Sequence, residues 1–245
     1  MIQILPKYTD GDLEYKDFEV KPTLRLEIYE GPYYAEEDTI CFYRIKAIAS
    51  GEPEPEIIFS RDDARGAWGK SISQIKLRKD ETFTLVAKAK NSAGEVYDYI
   101  NINWIEKPYD EINYEDIDFN HSESFKINVS LSSQVVRIYY KDYLIKEMIC
   151  SGGAEETPTP KGEFVTSQKI EYAWVERFNM GAFYWIRFYG SYLFHSVPFD
   201  KDGNMMEEEF EKLGIPASHG CIRLSLRDAK WLYYNLPLGV KVSIY

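Results

Sequence analysis

Of the three cysteines, at positions 41, 150 and 221, one sits among residues that can turn a thiol into a nucleophile. Cys221 closes the run Ser218-His219-Gly220-Cys221, in a glycine-bearing turn after the apolar Ile215-Pro216 and just ahead of a helix start. A free thiol ionises near pH ~8.5, so attack on a substrate at neutral pH needs a positive charge, a helix N-terminus or a base close by. Imidazole supplies this, and two histidines precede Cys221 in the same part of the chain: His219, and His195 at the end of the aromatic segment Tyr184 to Phe194. As a strand, that segment alternates its side chains and can carry His195 into reach of the thiol. Cys41 and Cys150 lie in apolar segments, where free cysteine acts as a small hydrophobe, and His121 sits in polar surroundings as a solvated residue. Asp200, Asp202, Asn204 and Glu211 have calcium-loop spacing, but Met205 stands where such a loop needs glycine; a turn and a short acidic helix are expected there, with no metal.

The elements that hold Cys221 flank it. Ser225 with Asp228 three residues on is an N-capping pattern; Ala229, Leu232, Tyr233 and Leu236 share one helical face, Pro237 to Gly239 end it, and Val240, Val242 and Ile244 form a last strand. Upstream, Ile127, Val129 and Leu131 alternate with polar residues, as do Val136, Ile138 and Tyr140, and Lys141-Asp142 occupies a hairpin turn, so this domain opens as a β-meander. Between Lys21 and Glu106, short β-rich segments such as Thr23 to Tyr29 and Thr82 to Lys90 alternate with turn clusters, the rhythm of a β-sandwich. The expected organisation is a lead segment 1–21, a sandwich 22–105, an acidic linker 106–121 and a catalytic domain 122–245, mainly β with a few short helices.

The 245 residues, 44% of them hydrophobic, suffice for two modest cores. An excess of 40 acidic over 29 basic residues, a formal charge of −11, argues against nucleic acid or an anionic membrane as a general partner. Three widely spaced cysteines fit neither a disulfide framework nor a zinc site. No apolar run of about 20 residues crosses a bilayer and the first residues lack a signal-peptide layout, which leaves a cytosolic protein or an ectodomain cut from its anchor.

Two resemblances sharpen this. The stretches Ala47 to Phe59 and Phe83 to Gly94 resemble the immunoglobulin fold, with Ala47 and Ala87 in place of the paired cysteines and Phe59 in place of the core tryptophan. Ser218-His219-Gly220-Cys221 with Ile222-Arg223-Leu224-Ser225, the upstream His195-Ser196, and the loop Ser151-Gly152-Gly153 to Lys161-Gly162 together resemble the YkuD-type L,D-transpeptidases from about Phe125 to Tyr245. The separation of His195 from Ser218 is longer than is usual in that family, which implies an insertion around Asp200 to Leu213.

The second resemblance implies Cys221 as nucleophile, His195 as general base, the Ser196 carbonyl as its orienter, and His219 and Gly220 in a backbone motif that binds an oxyanion with the Cys221 amide. It implies Tyr184 and Trp185 in the donor pocket and Arg223 on a substrate carbonyl or carboxylate. The implied reaction is cofactor-free: Cys221 attacks the bond between the L-centre of a stem-peptide diamino acid and the terminal D-alanine, and the resulting thioester passes to a neighbouring stem's amine as a 3-3 cross-link. Water as acceptor would give an L,D-carboxypeptidase; carbapenems are the implied covalent inhibitors. A sortase would show a TLxTC-like strand end, and a papain-like peptidase would place its cysteine first, whereas both histidines come first here. A wall-binding adaptor with a degenerate second domain is disfavoured by the intact motif. Peptidoglycan lies outside the membrane, so the expected location is the cell wall or surface, with an anchoring segment ahead of this chain. The first domain, lacking site residues, is expected to be a spacer.

Overall fold

In the computed structural model, which describes residues 19–107 and 114–245, strand-forming residues assemble into four sheets. The first unit holds β1 (Val20–Ala35), β2 (Ile40–Glu52), β3 (Glu56–Phe59), β4 (Ile72–Arg78), β5 (Thr82–Asn91) and β6 (Gly94–Asn103). They form two three-stranded sheets, ordered β1-β2-β4 and β3-β5-β6. Alternation decides which side chains share the core: Cys41, Tyr43, Ile45 and Ala47 of β2 join Ile75 and Leu77 of β4 and Leu85 and Ala87 of β5. No disulfide ties the sheets, since Cys41 and Cys150 are buried free thiols.

The second unit opens with an antiparallel meander, β7 (Phe125–Ser130), β8 (Val135–Tyr140) and β9 (Tyr143–Ile149). Lys141 and Asp142, at φ 46° and 72°, make the tight turn whose twist suits a two-residue hairpin. There follow β10 (Gly162–Val165), β11 (Gln168–Val175), β12 (Met180–Tyr189), β13 (Tyr192–Ser196), α1 (Glu207–Glu211), β14 (Ile222–Leu224), α2 (Leu226–Asn235) and β15 (Lys241–Ile244). One sheet runs β10-β15-β7-β8-β9 and the other β11-β12-β13-β14. Ile127, Val129 and Ile138 of the first sheet share a core with Ile186, Phe194 and Ile222 of the second and with Ala229 and Leu232 of α2. Ser225 caps α2 as its spacing predicts, its Oγ accepting from the Asp228 amide at 3.1 Å.

The linker expectation needs correction where residues are described. Residues 108–113, like the lead segment up to 18, lie outside the described residues. From Tyr114 the chain is an arm packed on the second core: Ile117 is buried, Phe119 stacks on Phe125 at 5.4 Å, and Tyr114 and Phe119 both meet Trp231 edge-on at 6.4 Å. Irregularly spaced aromatics anchor it, and these give no periodic signal.

The two units also share a buried seam. The first half of β2 is buried on both faces, because its even-numbered residues turn toward the second unit. Phe42 and Ala35 pack with Ile149, Val197, Phe210 and Leu213. Arg44, 2% exposed, pairs with Glu30, donates to Gln74 Oε1 at 3.2 Å, and reaches the carbonyls of Ser133 at 3.0 Å and Gly214 at 3.1 Å. Between β1 and β2, Glu36, Glu37 and Asp38 all have left-handed φ values of 54° to 68°. The Glu36 amide donates to Asp228 Oδ2 at 2.9 Å and the Glu37 amide to Oδ1 at 3.4 Å, so a carboxylate of α2 holds the strained tip.

Candidate active site

The parallel pair β13–β14 builds the site. Phe194 stands beside Ile222 and faces the core, so His195 stands beside Arg223 on the opposite face, and period-two alternation puts Cys221, one residue before β14, on that same face. A cavity of about 410 Å³ is lined by Trp185, His195, Ser218, His219, Cys221 and Arg223, together with Arg177 and Phe178.

His195 is 6% exposed and its ring stacks on Trp185 at 4.4 Å. Its Nδ1 lies 2.6 Å from the Ser196 carbonyl; a carbonyl only accepts, so Nδ1 carries the proton and Nε2 is left as the basic nitrogen. The Ser196 side chain is tied down as well, its Oγ donating to the Val197 carbonyl and accepting from the Phe183 amide. Burial, reinforced by the Arg223 charge and opposed by the Ser196 carbonyl, lowers the His195 pKa to about 3. Burial also raises the Cys221 pKa, against a backbone hydrogen bond at Leu193 and the charges of Arg223 and Arg187. Both shifts favour the uncharged forms, the thiol at Cys221 and the neutral imidazole at His195.

The turn that presents Cys221 is braced from inside. Ser218 Oγ donates to the Cys221 carbonyl at 2.6 Å and accepts from the Gly220 amide at 3.0 Å. Gly220 has φ +105°, and a Cβ there would lie 2.5 Å from a Tyr192 ring carbon, so only glycine fits. The loop after β9 stitches the turn down: the Ala154 amide and Thr157 Oγ1 donate to the Ser218 carbonyl, and Thr159 Oγ1 to that of Gly220 at 2.9 Å. Gly153 is obligatory in this loop, because a Cβ would sit 2.1 Å from the Thr157 carbonyl oxygen.

Residues 124–244 match the family described as the L,D-transpeptidase catalytic domain, YkuD. They form a YkuD-type L,D-transpeptidase domain. YciB of Bacillus subtilis strain 168, named for the L,D-transpeptidases, is 43% identical over 124 residues, which cover 48% of this chain and 64% of that protein. YkuD of Bacillus licheniformis strain ATCC 14580, named likewise, is 30% identical over 123 residues, covering 49% of this chain and 65% of that protein. Among solved structures, LD transpeptidase LdtMt1 in complex with imipenem aligns at 13% identity and a TM-score of 0.44, over 99% of this chain and 100% of that one. The chain spans just under two thirds of the length of these curated relatives.

Within the L,D-transpeptidase domain, the structure separates residues that the sequence placed together. Trp185 lines the cavity, but Tyr184, at φ +60°, turns away to meet the rings of Tyr233 and Tyr234 at 5.5 and 5.7 Å. His219 is exposed and stacks on Phe178 at 4.4 Å, forming the outer wall of the cavity. The Gly220 amide is spent on Ser218 Oγ. Arg223 is 5% exposed and lines the cavity; it pairs through Nη1 with Glu209, while its buried Nε has no hydrogen-bond partner among the described residues. Glu209, Arg177 and Phe178 were not singled out from the sequence, because only tertiary packing brings Arg177 and Phe178 to the cavity and Glu209 to Arg223. Asp200 turns its carboxylate onto the amides of Asp202 and Asn204 at 2.9 Å, closing the turn expected before the acidic α1. Among the described residues, no three His, Cys, Asp or Glu groups gather to hold a metal, and no helix is long and apolar enough to cross a membrane.

Proposed function

We propose that the protein is a peptidoglycan L,D-transpeptidase acting by cysteine acyl transfer, and the observation that carries this is the common face shared by Cys221 and a carbonyl-oriented His195 inside one cavity. His195 Nε2 takes the thiol proton as Sγ attacks the carbonyl that joins the L-centre of the stem diamino acid to the terminal D-alanine. The tetrahedral oxyanion faces the amides of Cys221 and His219, since that of Gly220 is occupied; one such donor is worth about 3 kcal/mol of transition-state stabilisation. Collapse expels D-alanine, whose nitrogen receives the proton from His195, and leaves an acyl-thioester. The amine of a second stem loses a proton to His195 and attacks the thioester, giving a 3-3 cross-link and restoring the thiol. Water in place of the amine yields the tripeptide, the L,D-carboxypeptidase outcome.

Arg223 is assigned to the carboxylate of the terminal D-alanine and Trp185 to the wall of the donor pocket. A carbapenem would be opened by the same Sγ attack on its lactam carbonyl. Peptidoglycan as substrate places the protein outside the cytoplasmic membrane, where the immunoglobulin-like first unit supports the catalytic one. Incubation with disaccharide-tetrapeptide, followed by mass spectrometry, tests the reading. A dimer lacking one D-alanine is expected, and Cys221→Ala is expected to yield none. An unchanged tetrapeptide, or full activity in Cys221→Ala, refutes the assignment; tripeptide alone moves it to carboxypeptidase.

A further inference from the structure

Arg223 is the buried cation of the cavity, and what fixes it lies outside the motif that contains it. Its Nη1 is paired with Glu209 on α1, whose side chain is 13% exposed. Burial pushes the Glu209 pKa up, but hydrogen bonds and charge from Lys212 and Arg223 outweigh this and hold it below the usual range, so it is ionised. Lys212 Nζ donates to Glu209 Oε1 at 2.5 Å, leaving Oε2 for Arg223.

A helix of five residues without a side-chain cap does not hold itself. Its support comes from the first unit. Phe210 is buried in the cluster that contains Ala35 and Phe42, and Glu211 pairs with Lys76 of β4 at 2.9 Å. Three successive residues of α1 thus engage Arg223, the seam and β4.

We propose that Glu209 is a positioning residue: it pins one edge of the Arg223 guanidinium so that the remaining donors meet the donor stem's terminal carboxylate, and the first unit holds it there through α1. This rests on the transpeptidase reading above. A flexible arginine would lose the chain entropy of ordering at each binding event, whereas a guanidinium already pinned on an ionised carboxylate does not.

The experiment measures kcat and KM for D-alanine release from tetrapeptide donors with a free or an amidated C-terminus. In the wild type, amidation is expected to raise KM about tenfold. Glu209→Ala is expected to raise KM for the free-acid donor by about the same factor, with kcat little changed and no further penalty for amidation. Glu209→Gln keeps an acceptor oxygen and should recover part of the loss, and Phe42→Ala in the first unit should shift KM in the same direction without adding to Glu209→Ala. Equal KM increases for both donors in Glu209→Ala, or an unchanged KM with only a lower Tm, would overturn the inference. A wild type that releases no D-alanine instead overturns the transpeptidase reading on which it rests.

Discussion

Burial shifts Cys221 and His195 in opposite directions, the thiol upward and the imidazole downward, and this gives the site a pH signature. Because burial raises the thiol pKa and lowers that of the imidazole, alkylation of Cys221 by iodoacetamide should rise in a single limb above the ordinary thiol range, with no plateau reaching into acid. A rate that stays high down to acidic pH would reveal a standing thiolate–imidazolium pair. Linkage adds a stability consequence. With its pKa lowered to about 3 in the folded chain against 6.5 unfolded, His195 binds more protons in the unfolded state between these values, so its contribution to stability falls as pH drops through that window, against an opposite contribution from Asp228, which burial raises to about 6. His195→Gln should therefore flatten the acid side of a urea-denaturation series. Gly220→Ala, which puts a Cβ against Tyr192 at a left-handed φ, is expected to lower kcat by roughly a hundredfold by displacing Cys221. At this scale the motifs named Cys221, His195 and Ser196, and the contact of the His195 ring with the Ser196 carbonyl was legible because the two are chain neighbours. It could not separate Tyr184 from Trp185, because the face each takes depends on the positive φ at Tyr184 and on pairing with β11.

Elements show the same division between local and distant signals. The α2 cap, the Lys141-Asp142 turn and the β7–β9 meander were readable because capping, turn chemistry and alternation act over a few residues. The packed arm after Tyr114 was not, because its order comes from Phe125 and Trp231, which the local pattern does not include. Ser225 is expected to matter beyond its cap: its Oγ also accepts from the Glu36 amide at 3.2 Å. Ser225→Ala should cost about 1 to 2 kcal/mol, read as a Tm drop of a few degrees by calorimetry, and a change within error would show that the cap is dispensable.

For the molecule as a whole, the seam packs the first unit against the second, whatever distance it also spans. Removing residues before 114 would expose Ile149, Val197, Phe210 and Leu213, and would leave α1 without the partners that steady it. The truncated chain is expected to bind a hydrophobic dye and to melt below the full chain; equal Tm and equal turnover of soluble stem peptides would support a purely spacing role. Nothing in the sequence marked this surface, because the even-numbered residues of β2 look like the outer face of any sandwich strand until a second unit covers them.

The hairpin tip at Glu36 to Asp38 sets a rule for rebuilding the protein. Two of its three left-handed residues, Glu36 and Glu37, donate their amides to a carboxylate from the other unit, so neither half carries a self-sufficient design for that turn. A chimera that joins this catalytic domain to a foreign sandwich must graft the tip and Asp228 as a matched pair, and swapping whole units at residue 107 would separate them.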